Sequence, residues 1–260
     1  MVELLANPDA WIALITLTFL EVVLGIDNII FISIVTGKLP EKERKKATRI
    51  GLILAMIMRI GLLLGITWLI AMKASIFSLH LSWIDLDLSG QGLILLLGGL
   101  FLIYKSTKEI SEKVDHKGEE AHQLKSTAKR SFTQAIIQIL VIDMIFSVDS
   151  ILTAVGMTNG VDGALYIMIT AVVISILIML IFAVPVGTFV NKNPSIQVLG
   201  LAFLILIGFM LITESMHLSH AQIFGQEVGA IPKGYLYFAI AFSLSVEFIN
   251  MKVRKSKTIE

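Results

Sequence analysis

Two stretches of the sequence place acids where acids are costly. Glu21-Val-Val-Leu-Gly-Ile-Asp27-Asn28 lies inside one apolar run, and Asp143-Met-Ile-Phe-Ser-Val-Asp149-Ser150 lies inside another. Both read acid, five residues, Asp, then Asn or Ser, and the second copy follows the first at an offset of 122 residues. Carboxylates, the Asn28 amide and the Ser150 hydroxyl form an oxygen-rich set, which suits a hard divalent cation such as Mn²⁺, Mg²⁺ or Ca²⁺. Zinc or copper would favour imidazole or thiolate. None of the five histidines falls inside a central apolar run, and there is no cysteine, which also excludes disulfides and Cys nucleophiles.

Other residues group around these pairs. Thr16 matches Gln138 at the same offset, and Thr153 shares a helical face with Gln138 and Asp149. Glu247 with Asn250 adds an acid to the final apolar run, and Arg59 is the one base in mid-run. A charged side chain near the bilayer centre costs about 2.5–3.5 kcal/mol, so the four paired acids cost on the order of ten. One arginine cannot neutralise them all, so a bound cation, bound protons or both are expected. Arg59 is expected to act as an internal counter-charge holding the empty site together. The plainer alternative is that some acids are protonated and only hydrogen-bond to neighbouring helices. Positions six apart sit about 120° round a regular helix, so both acids of a pair can reach one ion only if the helix loosens between them, at Gly25 and Ser147. His217 and His220 follow Glu214 at three-residue steps and read as surface residues, with meeting a departing metal as the alternative.

The elements that must position these side chains are membrane spans. Over 260 residues, 56% are hydrophobic and 16% charged, with a mean hydropathy of +0.85. So apolar a composition excludes an ordinary soluble globular protein. Seven apolar segments are predicted, at about 11–36, 48–72, 88–105, 133–158, 164–190, 195–216 and 233–252. Each can cross a hydrocarbon core of about 30 Å, the third with little to spare. The fold class expected is therefore an all-α polytopic membrane protein. No basic region precedes the first span, which is expected to stay rather than be cleaved as a signal peptide.

The charges that flank the spans set an orientation. Eighteen Lys and Arg residues fall on one side, in the connections after spans 1, 3 and 5 and in the tail, against Lys73 and Lys233 on the other. Basic loops stay cytoplasmic, which predicts an outside N-terminus and a cytoplasmic C-terminus. The net charge of +1 gives no argument for nucleic-acid binding.

A second echo links spans 3 and 6, where Gly99-Leu-Phe-Leu-Ile-Tyr-Lys105-Ser106 parallels Gly208-Phe-Met-Leu-Ile-Thr-Glu214-Ser215. Three spans per repeat is an odd number, so the two halves must face opposite ways, as in many secondary transporters with midplane sites. The organisation expected is a first three-helix repeat over 1–106, a charged cytoplasmic linker over 107–131, and a second, inverted repeat over 132–217. An outer loop, a seventh helix and a cytoplasmic tail then occupy 218–260. The linker mixes acids and bases and reads as solvated, with a surface helix or a partner-binding role as alternatives.

With its two acid pairs, seven-span layout and the ending Ala-Phe-Ser-Leu-Ser-Val-Glu247-Phe-Ile-Asn250, the sequence resembles the TerC family of bacterial membrane proteins from about Trp11 to Asn250. The resemblance implies manganese export, kinship with lysine-exporter-like transporters and an older association with tellurite resistance. It carries over Glu21, Asp27, Asn28, Asp143, Asp149 and Ser150 as ion-site residues, with Glu247 and Asn250 as accessories. Some members carry large cytoplasmic C-terminal domains; with the sequence ending at Glu260, none is expected here. Manganese would be the cargo and protons the counter-ion, with no prosthetic group, in the bacterial inner membrane. The alternative is a membrane scaffold or metal-delivery factor acting in tellurite resistance or in metalation of exported proteins. No nucleotide-binding loop, zinc-protease helix or Ser/His/Asp arrangement suggests an enzyme.

Overall fold

A computed structural model describes residues 8–65, 75–81, 84–115, 131–158, 160–161 and 163–257. Among the described residues the chain forms seven helices and four short strands in the order α1 Pro8–Gly37, α2 Glu41–Leu64, β1 Ser75–Leu81, β2 Ile84–Ser89, α3 Gly90–Asp115, α4 Phe132–Met157, α5 Ala164–Lys192, α6 Pro194–Leu218, β3 Gln222–Ile223, β4 Gln226–Glu227 and α7 Lys233–Lys257. Six of the helices (all but α3) are long and apolar enough to cross a membrane. In α3 the apolar stretch from Leu93 to Ile103 gives way to Lys105, Lys108, Glu109, Glu112 and Lys113, and the helix continues to Asp115. The beginning of the expected linker is thus helical, and residues 116–130 lie outside the described set.

The helix ends follow from local chemistry. Acidic Glu41 and Glu43 occupy the first turn of α2 after Pro40, where the helix dipole favours negative charge. The Gln134 side chain accepts from the Ser131 backbone N–H at 3.3 Å, closing the entry to α4. Pro194 opens α6, where its missing N–H leaves no bond unmade.

The chain divides into two compact units that alternate along the sequence, Met1–Ala74 with Leu124–Asn191, and Ser75–Gln123 with Lys192–Glu260. In the first unit, α4 packs on both α1 and α2. A Cβ added to Gly25 would meet Met179, one on Gly187 would meet Ser33, and one on Gly37 would meet Asn191. These three approaches keep a constant spacing along both helices, so α1 and α5 run parallel.

In the second unit α3 and α6 form the main helix pair. Ser215 Oγ donates to the Gly92 carbonyl at 2.6 Å, and Lys113 Nζ bonds Gln197 Oε1 at the other end. The pair is therefore antiparallel, and α3 lies alongside α6 for nearly its whole length. Between those ends, a Cβ on Gly99 would sit 2.5 Å from the Gly208 carbonyl oxygen and 2.8 Å from Ile212 Cγ1. A Cβ on Gly208 would sit 2.8 Å from the Gly99 oxygen and 2.9 Å from Ile103 Cγ1. The contact is reciprocal, with each backbone resting against the other at matching residues of the two echoed sequences.

The strands were not anticipated. Ile84-Asp-Leu-Asp-Leu-Ser89 alternates with the period of two that a half-buried strand requires. It pairs antiparallel with β1, setting Ser78 against Asp87 and His80 against Asp85, and β3 and β4 extend the sheet in the order β1-β2-β3-β4.

Candidate functional site

The buried polar centre of the first unit is built on Arg59, which is only 2% exposed and stands five residues before the end of α2. A guanidinium presents its donors in a rigid planar fork, and here each nitrogen has a partner. Nη1 pairs with Glu21 Oε2 on α1. Nη2 pairs with Asp143 Oδ1 on α4 at 3.0 Å, and Nε donates to Ser147 Oγ at 3.1 Å. Ser147 stands one turn beyond Asp143 and donates to its Oδ2 at 3.3 Å. Asn28 Nδ2 reaches Asp143 Oδ1 at 3.4 Å, while Asn28 Oδ1 is buried without a hydrogen-bond partner among the described residues. Glu21, Asn28 and Asp143 are all buried.

The first acid of each repeated pair thus meets the other through one arginine. Helical spacing explains the choice. Glu21 and Asn28 are seven residues apart on α1 and share a face, as do Asp143 and Ser150 on α4. Both helices stay regular through these segments, contrary to the expectation that they loosen at Gly25 and Ser147. In an unbroken helix Asp149 is turned away from Asp143, and it is only half-buried. Its carbonyl accepts from Thr153 Oγ1 at 3.0 Å. Gln138 is half-buried one turn before Ile142, and the Ser150 hydroxyl donates back to the Ser147 carbonyl at 3.3 Å. The side chain of Asp27 lies outside the described set. Among the described residues no group of three or more His, Cys, Asp or Glu side chains is arranged to hold a metal ion. Arg59 stands between the two buried acids.

Glu247 and Asn250 belong to α7, in the second unit. Glu247 Oε1 is buried with no hydrogen-bond partner among the described residues, and Asn250 is exposed. Glu214 is half-buried near the end of α6, and His217 and His220 are exposed beyond it. Ser147 is the member of the cluster whose part sequence reading missed. Its signal was its position one turn after a buried acid, where a hydroxyl can bond both that acid and a shared partner.

A family model described as "Integral membrane protein TerC family" matches residues 6–258. The UPF0053 protein of Haemophilus influenzae is 45% identical over 255 residues, covering 98% of this chain and 99% of that protein. The UPF0053 inner membrane protein YgdQ of Escherichia coli K12 is 46% identical over 253 residues, covering 97% of each. The longer UPF0053 inner membrane protein YoaE of the same strain is 42% identical over 254 residues, covering 98% of this chain but 45% of YoaE. No solved structure matches.

Proposed function

The chain belongs to the TerC family of integral membrane proteins, and from that premise we propose that it exports divalent manganese across the bacterial inner membrane in exchange for protons. The observation that carries this reading is the buried cluster in which Arg59 bridges Glu21 and Asp143 beside Asn28. Buried acids inside apolar helices are expensive, and a transport site is a reason to keep them. Their oxygen chemistry favours a hard divalent ion over a soft one. Asp27, Asp149 and Ser150, on the same two helices as the buried acids, complete the ion path in this reading.

Seven crossings with an outside N-terminus make the topology. Two packing facts support the count. Parallel α1 and α5 require an odd number of crossings between them, which α2, α3 and α4 supply. The antiparallel α3 lies along nearly the whole of α6, so a bilayer that contains α6 contains α3 as well. The reciprocal Gly99 and Gly208 contact supports two inverted repeats, because equivalent residues of antiparallel helices meet only near a two-fold axis across the helices. A single cysteine placed at Lys117 should react with an impermeant label in inverted vesicles, and labelling from the outside of intact cells would contradict this orientation.

Export moves two positive charges against an inside-negative potential, at about 2.3 kcal/mol per charge per 100 mV. The sequence carries no ATP-binding motif, so an ion gradient must drive it. Once metal leaves, the positive charge it carried must be replaced at the buried acids, and entering protons can supply it. Protons therefore refill the site. The test is manganese uptake into inside-out vesicles under an imposed pH gradient, with and without sodium. Uptake driven by the pH gradient supports the reading. Uptake that ignores it and collapses without sodium refutes proton coupling, and purified protein that moves no manganese into liposomes favours a scaffold or metal-delivery role.

A further inference from the structure

The ligands of the buried cluster are already engaged by a positive group of the protein itself. Asp143 Oδ1 accepts from Arg59 Nη2 at 3.0 Å and from Asn28 Nδ2 at 3.4 Å, and Oδ2 accepts from Ser147 Oγ at 3.3 Å. Glu21 gives Oε2 to the same guanidinium. A metal ion binds through oxygen lone pairs, and here donor hydrogens point at the lone pairs it would need. If metal and guanidinium shared the site, three positive charges would face two carboxylates in a buried space, where like charges repel strongly. Resting on the transport reading above, we infer that Arg59 is the resident cation of the empty site, and that the metal reaches Glu21 and Asp143 only by displacing its guanidinium.

Asn28 fits such an exchange. An amide turned by 180° swaps its donor for its acceptor at almost unchanged shape. With Arg59 in place, the amide nitrogen faces Asp143 and the oxygen is left without a partner among the described residues. With metal in place, the turned amide supplies that oxygen as a neutral ligand beside the carboxylate. Ser147 links both states, because its hydroxyl bonds Arg59 and Asp143 together and can hold the carboxylate after the arginine withdraws. Arg59 then neutralises one charge of the empty site, and protons neutralise the rest.

Manganese binding to the full chain in detergent, read from the spectrum of free Mn²⁺, tests the exchange. Arg59→Gln, having lost the competitor, should bind at least tenfold tighter than wild type. Arg59→Lys preserves the buried charge, and hence the fold, but cannot fork across both acids; it should bind tighter by a smaller factor. In Arg59→Ala, added guanidinium ion should weaken manganese binding competitively, while wild type at the same concentration is unmoved. Folded Gln and Lys variants that bind no tighter than wild type would overturn the displacement, provided wild-type binding is abolished by Asp143→Asn. Wild-type protein with no Asp143-dependent manganese binding would instead overturn the site itself.

Discussion

The meeting of α1, α2 and α4 around Arg59 and the meeting of α3 and α6 at Gly99 and Gly208 hold helices together by opposite means. In the first, long polar side chains span the gap through hydrogen bonds and ion pairs, which in the exchange inferred above pass to a metal, a proton or a turned amide. In the second the backbones themselves touch, because neither glycine carries a Cβ. Ion pairs in a low dielectric are strong but replaceable, whereas backbone apposition depends on shape alone. The difference separates a region fit to change its partners from one fit to stay fixed.

Substitutions can break or sharpen that contrast. The largest effect is expected at the exchangeable cluster, where Asp143→Asn should reduce manganese transport in proteoliposomes to background while the protein remains inserted. Gly208→Ala should leave chemistry untouched and damage stability. The new methyl would press on the Gly99 carbonyl, part of a backbone that cannot step aside, at a cost of about 1–3 kcal/mol. Thermal unfolding in detergent, followed by circular dichroism, measures it. Gly25→Ala is more closely crowded, but against the end of the Met179 side chain, which can swing away, so the same assay should register about 1 kcal/mol or less. Equal losses at Gly25 and Gly208 would show that flexible and rigid neighbours do not differ here. The smallest change is expected at Gly61→Ala, where nothing lies within 4 Å; relief of helical glycine entropy should stabilise by roughly 0.5 kcal/mol.

Sequence reading found what depends on pattern within one segment. The apolar runs located the helices, and the two acid pairs stood out because charge inside such runs is rare. Glu21, Asn28, Asp143 and Arg59 were all marked before any geometry. Their assembly was not legible, because it depends on which helix faces which. The pairs suggested ligands within one loosened helix, whereas the regular helices join the first acid of each through Arg59. The matching segments around Gly99 and Gly208 were visible as an echo, but an echo cannot show that its two copies touch. The strands left a readable signal, the Leu/Asp alternation of β2, which a search for apolar runs long enough to cross a membrane passes over.

The alternation of the two units along the chain has a consequence for how the protein is made. Arg59 and Glu21 emerge together early, but Asp143 lies 84 residues beyond Arg59, and the second unit begins in between. At a synthesis rate of about 5–20 residues per second, the arginine waits roughly 4–17 seconds in the insertion machinery or the bilayer before its second acid exists. During that interval Glu21 is the acid available to accompany it. Pairing with Glu21 would thus serve the nascent chain first, by letting a charged helix leave the translocon, and the finished site only afterwards.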